Sequence, residues 1–432
     1  MYIERRLRSN AGGRSSVRVC LISPGHLSTN PRLLKEARAL TEAGHDVSVV
    51  CGQYSAWARE KDRALIDRRW RVEYVPFGPT EAPKSTYVVQ GLRHRAARFL
   101  AQAGISSFAI WEAAHTPVGP NLSSAAMRVP ADLYIAHYPA ALPAAARAAR
   151  KYGVAYAFDA EDYHLGDLPD SSEHKVEKRI IHAIESRYLS GAAYVTAASP
   201  MIADAYAQTY RIPRPTVVLN VFPRANAPSS NTPRGTAEPR PSLYWFSQTI
   251  GSGRGLETAI EAIARAESRP HLYLRGTPAK AYDDRLRTLA HSAGVADRLH
   301  LLPPETPDEM ERLGAQYDLG YLGEVAQTRN RQIALTNKLF SYLIGGVPIV
   351  GSDVPAHVAL APNLGEAMSL FRTADAAALA ETLDGLLMNP DRLAAARSHA
   401  WSLGQHRFCW EVEKRAFLDA VAKDGRLAYR CD

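Results

Sequence analysis

Short apolar runs alternate along the chain with stripes at helical spacing, the pattern of strands and helices taken in turn. Residues 17–23 predict a buried strand and Pro24-Gly25-His26 a turn. Over residues 30–43, Leu33, Leu34, Ala37 and Leu40 fall on one helix face; Gly44 then ends the helix, and residues 47–51 predict the next strand. Strand, helix and strand in that order open a doubly wound parallel sheet, so the fold class is α/β. The turn after the first strand is not G-x-G-x-x-G, which removes the fingerprint of a dinucleotide-binding protein from the place where it belongs.

Residues 54–127 are less regular. Arg93, His94, Arg95 and Arg98 precede Phe99, Leu100, Ile105, Phe108, Ile110 and Trp111, which predicts a basic patch followed by a helix or helix pair packed on the sheet. Alternation then resumes, with strands at 131–136, 154–158, 193–197 and 216–219 and helices at 142–152, 173–189 and 201–210. His137-Tyr138-Pro139 and the run Asp159 to His164 each follow one of these strands. Both clusters therefore sit at carboxyl ends of parallel strands, where open sheets place their ligands. Residues 224–241, with Pro228, Pro233, Pro239 and Pro241 among Ser, Asn and Gly, have the composition of a linker. A second alternation follows, with strands at 243–246, 271–275, 299–302 and 318–322 and final helices at 374–387, 390–400 and 411–422.

The most informative stretch is TNKLFSYLIGGVPIVGSD, residues 336–353. Leu339, Phe340 and Leu343 make a helix stripe, Gly345-Gly346 stops it, Pro348 prevents continuation, and residues 347–350 have the apolar run of a parallel strand. Lys338 and Ser341 are three apart and project from the first turn. Free N–H groups, the positive end of the helix dipole and the lysine together suit an anion there. In the loop 247–255, Gly251, Gly253 and Gly255 permit a backbone that curls around a ligand, with Arg254 at the entrance of the following helix.

With 432 residues, 46% of them hydrophobic, two or three domains are expected. No apolar run approaches the roughly 18 residues of a membrane span, and the N-terminus lacks the apolar segment of a signal peptide. Cys20, Cys51, Cys409 and Cys431 are scattered without C-x-x-C spacing, so a reducing cytoplasm is the expected compartment. Of the net charge of +8, half sits in residues 1–18, where five arginines face Glu4 alone. Residues 1–16 therefore predict a disordered basic tail; weak peripheral attraction to an anionic membrane is a second reading. Nucleic acid ranks last as a partner, since no recognisable module and no aromatic stripe accompanies the basic residues.

Taken together, residues 17–423 resemble the retaining GT-B glycosyltransferases of the family 4 type, on the SPGHLSTNPRLLKEARALTEAGHDVSVV opening, the strand-end clusters and the 336–353 stretch. The resemblance implies two Rossmann-like doubly wound domains facing a central cleft: an acceptor-binding domain at 17–223 with a C-terminal helix near 405–425, a linker at 224–241, and a nucleotide-sugar-binding domain at 242–404. It implies transfer of a hexosyl group from a nucleotide-diphosphate sugar to an acceptor hydroxyl on a glycan, a lipid-linked sugar or a small molecule, as in polysaccharide biosynthesis, without metal or other cofactor. The absence of a D-x-D string agrees with that. By position, His137, Asp159 and Glu161 match the catalytic side, and Gly25, Arg254, Thr336, Asn337, Lys338 and Ser341 the donor site. Three positions depart from the family pattern. Ser341 and Ile333 stand where the E-x7-E pair is usual, and Gln248 where a first basic residue is usual. A catalytically silent protein that binds a nucleotide sugar and a nucleotide-sugar epimerase are therefore the competing readings, with an NAD-dependent dehydrogenase behind them.

Overall fold

The computed structural model describes residues 16–230, 241–305 and 307–425. The expected basic tail up to residue 15 and the linker positions 231–240 lie outside them. By contact, the described chain divides into two compact units: one runs to Val218 and takes in the C-terminal helix from Lys414, the other is Leu219–Glu413.

In the first unit, β1 (Arg18–Ser23), β2 (Asp46–Gln53), β3 (Arg71–Pro76), β4 (Leu133–His137), β5 (Ala155–Ala160), β6 (Val195–Ala197) and β7 (Thr216–Val217) form a sheet in the order β3-β2-β1-β4-β5-β6-β7. Every pairing is parallel. Such strands are covered on both faces, which is why β4 is buried along its whole length and is apolar until its last residue, His137. The helix Pro31–Glu42 starts where Asn30 accepts a hydrogen bond from the Leu33 N–H and Pro31 presets the first turn.

The second unit repeats the plan with β8 (Ser242–Ile250), β9 (His271–Pro278), β10 (Leu299–Leu302), β11 (Leu319–Leu322), β12 (Ile349–Ser352) and β13 (Met368–Phe371), ordered β10-β9-β8-β11-β12-β13 and again parallel throughout. Its core joins Leu243 and Trp245 of β8 to Ile260 and Ile263 of the helix Leu256–Arg265 and to Leu379 and Leu383 of the helix Ala376–Leu387. Strand order reverses between β1 and β4 in one sheet and between β8 and β11 in the other. Those two switch points are where doubly wound sheets leave a crevice at the carboxyl ends of their strands.

Several elements depart from the sequence expectation. Residues 54–127 hold β3 and four helices, Ala56–Leu65, Lys84–Gln102, Phe108–His115 and Gly119–Ala126. The strand expected at 347–350 begins only at Ile349, because Val347 N–H is spent on Tyr342 O in closing the preceding helix and Pro348 has no N–H. The loop after β11 contains the short helix Arg329–Ile333, begun by Thr328, whose hydroxyl accepts from Arg331 N–H. Helix Tyr282–Ser292, helix Pro355–Leu364 and β13 have no counterpart in the sequence expectation. No helix among the described residues is long and apolar enough to cross a membrane.

Candidate functional site

At the switch point of the second sheet the loop after β8 turns on Gly255, whose φ is +65°. A Cβ there would lie 2.3 Å from Gly323 O, so only glycine lets this loop lie against the end of β11. Tyr321 fixes the approach, its hydroxyl donating to Gly255 O at 2.7 Å. Arg254 is thereby brought beside Glu324, the residue after Gly323.

Glu324 is almost fully buried and faces three cations: Arg331 Nη1 at 3.1 Å, Arg254 Nη1 at 3.6 Å and Lys338 Nζ at 3.6 Å. Burial alone would raise the Glu324 pKa, but Lys338, Arg254 and Arg331 outweigh it and hold the carboxyl below its ordinary value. Lys338, buried beside the Trp245 ring at 5.5 Å, is pulled below the usual lysine range by desolvation, with Glu324 opposing. Three positive groups around one negative leave an excess of two positive charges at the first turn of the helix Asn337–Ile344. Thr336 precedes that helix and Asn337 begins it; the Thr336 and Ser341 hydroxyls are buried without a hydrogen-bond partner. Ser352 Oγ donates to Glu324 O at 2.8 Å, tying β12 to β11, and His357 Nδ1 donates to Ser352 O at 2.8 Å. His357 Nε2 is left buried and unpartnered, and burial pushes its pKa down.

At the switch point of the first sheet His137 ends β4, and Arg32 and Glu36 reach it from the helix that follows β1. Arg32 grips Asp159 with two parallel hydrogen bonds, Nε at 2.6 Å and Nη2 at 2.8 Å, and donates a third to Val218 O at 2.7 Å. Thr196 donates to the same Asp159 at 2.6 Å. His137 lies between two carboxylates, Nε2 3.2 Å from Glu36 and Nδ1 3.4 Å from Asp159. Burial would strip its proton, but Glu36 and Asp159 together raise its pKa to about 9. Asp159 is held well below the carboxylate range, burial notwithstanding, by Arg32 and His137; Glu36 is raised by burial and by Asp159. Glu36, His137 and Asp159 offer ligand atoms within 4.8 Å of one another. With Asp159 already held by Arg32 and Thr196 and His137 protonated, the cluster is suited to an ion-pair network and not to a divalent cation.

Tyr138, next along, has φ +68°, a left-handed conformation that costs a non-glycine residue roughly 1–3 kcal/mol. It hydrogen-bonds Glu161, and burial and that carboxylate raise the Tyr138 pKa. Glu161 is only partly covered. Burial and the neighbouring Asp162 carry its pKa up to about 7. The loop after β1 is pinned by His26, which accepts from the N–H groups of Tyr54 and Ser55 on Nε2 at 3.0 and 3.1 Å and donates to Asp62 from Nδ1 at 2.8 Å. Gly25 sits in this loop; a Cβ there would meet Thr29 Oγ1 at an ordinary 3.4 Å, so packing does not itself demand the glycine.

The sequence-derived residues thus assemble in two places: Arg254, Thr336, Asn337, Lys338 and Ser341 in the second unit, and Gly25, His137, Asp159 and Glu161 in the first. Sequence reasoning missed Arg32, Glu36, Glu324 and Arg331. Arg32 and Glu36 are four apart beside the apolar stripe and pass for a surface ion pair. Glu324 carried a usable signal, being the sole acidic residue between Asp318 and Asp353, a span that holds Arg329, Arg331 and Lys338.

Residues 29–221 match the family described as Glycosyl transferase 4-like domain. No curated protein matches the chain. Among solved structures it is similar to HepE of Anabaena, crystallised with UDP and glucose, with a TM-score of 0.68 at 16% identity over 94% of this chain and 100% of that one. It is similar also to sucrose-phosphate synthase of Thermosynechococcus elongatus, at 0.70 and 14% over 94% and 98%. A glycosyltransferase of Rickettsia africae follows, at 0.62 and 12% over 96% and 100%. At such identities the likeness is one of fold. The chain therefore has the fold of the GT-B glycosyltransferases, and its residues 29–221 are similar to the glycosyl transferase 4-like domain.

Proposed function

We propose that the protein is a hexosyltransferase that moves a sugar from a nucleotide-diphosphate sugar to an acceptor hydroxyl with retention of configuration. The observation that carries this reading is the cationic excess around Glu324. Arg254 and Lys338 stand 3.6 Å from its carboxylate, too far for a good hydrogen bond, while Arg331 is closer at 3.1 Å. A diphosphate draws Arg254 and Lys338 to itself and leaves Arg331 to neutralise Glu324. The two released cations and the N–H groups of the Asn337–Ile344 helix then stabilise the departing diphosphate, the work a metal ion does elsewhere, so turnover needs no divalent cation. HepE was solved with UDP-glucose, which favours a uridine diphosphate sugar as the donor here.

On the acceptor side Glu161 is the group suited to proton transfer, partly open and with a pKa of about 7. His137 and Asp159 act through position: buried with Arg32 and Glu36, they hold the end of β4 and the strained Tyr138 against which Glu161 is set. Titration of UDP by calorimetry tests the donor half. Arg254→Ala and Lys338→Ala should each weaken binding by about 1.5–3 kcal/mol, the worth of a charge-assisted hydrogen bond. Unchanged affinity in both would remove them from the donor site. UDP-glucose turnover that persists after chelation supports the metal-free reading; loss that magnesium or manganese restores contradicts it.

A further inference from the structure

His357 stands third in the helix Pro355–Leu364 and is wholly buried. Its ring hangs on the end of β12 through the hydrogen bond from Nδ1 to Ser352 O, and Ser352 is tied in turn through Oγ to Glu324 O. A carbonyl oxygen can only accept, so Nδ1 carries a proton. Burial and Lys338 disfavour a second proton on the ring, the Ser352 carbonyl and Glu324 favour it, and the balance lies below the ordinary histidine value. The ring is therefore neutral at neutral pH, and its Nε2 is a bare hydrogen-bond acceptor.

Nothing among the described residues donates to that nitrogen. A buried acceptor without a donor is uncommon in a folded protein, because the hydration it has lost is not replaced. Thr336 and Ser341 carry hydroxyls that could donate, but both are themselves unpartnered, so neither reaches it. The charges that act on the imidazole are those of Glu324, at the end of β11, and Lys338, in the first turn of the helix Asn337–Ile344. The open valence of His357 thus belongs to the buried surroundings of the cationic cluster.

We propose that His357 Nε2 accepts a hydrogen bond from a sugar hydroxyl of the bound nucleotide-diphosphate sugar and makes the site selective for a ligand that carries that hydroxyl. This rests on the reading of the Glu324 cluster as the donor site and adds a contact that its cations cannot make. Diphosphate oxygens accept from Arg254 and Lys338 and have nothing to donate to a neutral imidazole. The two rings joined directly to the diphosphate do carry donors: the ribose at one end and the transferred sugar at the other. The base lies one ring farther away. A ligand without the hydroxyl leaves Nε2 buried and unpaired, which is how a site built to receive a hydroxyl rejects its deoxy analogue.

Two substitutions separate the two ring nitrogens. His357→Asn puts an amide N–H where Nδ1 donates to Ser352 and leaves nothing at the place of Nε2; His357→Gln puts an amide oxygen at the place of Nε2 and gives up the Nδ1 donor. Calorimetric titration of the full chain and both variants with UDP and UDP-glucose, alongside thermal melts, tests the proposal. His357→Asn should melt close to the wild type and lose about tenfold in UDP-glucose affinity, whereas His357→Gln should melt lower and keep most of that affinity. With the ribose as partner, UDP loses the same factor in His357→Asn, and 2′- or 3′-deoxy-UDP binds wild type and variant alike. With the transferred sugar as partner, UDP binds all three proteins alike, and a UDP-deoxyglucose binds wild type and His357→Asn equally. UDP-glucose affinity that His357→Asn leaves unchanged, or that falls in both variants in step with the melting temperature, overturns the proposal. So does a wild type that binds every deoxy analogue as tightly as its parent. Failure of the wild type to bind either ligand overturns the donor reading and this proposal together; binding that Arg254→Ala and Lys338→Ala weaken and His357→Asn does not overturns this proposal alone.

Discussion

His137 keeps its proton past neutrality because Glu36 and Asp159 outweigh the desolvation that would remove it, and this has a consequence for stability. In the unfolded chain the imidazole loses its proton near 6.5, and in the folded protein near 9. Between those values the native state holds a proton that the unfolded state does not. The stabilisation is therefore complete below pH 6.5 and declines as pH rises, by about 1.4 kcal/mol per unit for one proton. Urea unfolding followed from neutral pH to beyond 9 should show that decline, and His137→Gln should flatten it; an equal slope in the variant would place the titration elsewhere. Glu161, with its pKa of about 7, should impose the rising limb of the pH–rate profile, and Glu161→Gln should lower kcat about 10²- to 10⁴-fold with little change in KM. A variant that keeps both rate and profile would remove Glu161 from the chemistry. Ser341 gives a third residue-scale prediction. Its hydroxyl is buried and unpartnered, so Ser341→Ala should leave the melting temperature unchanged or raise it while weakening UDP-sugar binding by about 1 kcal/mol. Unaltered binding would make Ser341 a packing residue only.

At the scale of elements, the cationic cluster around Glu324 is a consequence of how tightly a loop, a strand end and a helix can be brought together. Gly255 makes that approach, and Gly255→Ala adds a left-handed strain to a 2.3 Å backbone clash. It should cost about 2 kcal/mol or more and weaken UDP binding in parallel, as denaturant unfolding and calorimetry would show. Equal stability would mean that the loop does not need its glycine. The stretch 336–344, the glycine loop and most strands of the two sheets were legible because apolar runs of parallel strands and glycine stops are local signals, whereas β3 and β13 were not. The helix Lys84–Gln102 was not legible for a physical reason. Its apolar residues face outward, so a rule that turns large apolar side chains inward assigns it the wrong face. Glu324 stood out in sequence as a lone acid among basic residues, but its meaning comes from Arg254, seventy residues away in sequence and adjacent only once Gly255 and Gly323 meet.

At the scale of the whole molecule, two sheets of the same parallel plan each carry charged residues at a switch point, but of opposite character. The first encloses its charges: Arg32, Glu36, His137 and Asp159 form ion pairs with one another out of solvent. The second leaves positive charge over, with Arg254, Arg331 and Lys338 set against Glu324 alone. An anion is therefore expected in the second unit, and the place where it binds can be read by hydrogen exchange. UDP at a hundred times its dissociation constant should add about 2.7 kcal/mol to the stability of what it binds. Slowed exchange should centre on residues 251–255, 324–331 and 336–341, where the backbone N–H groups at the ends of β8 and β11 and the start of the Asn337–Ile344 helix lie. Protection centred instead on residues 137–138 and 159–164 would move the donor to the first sheet and leave the cations around Glu324 with another anion to hold.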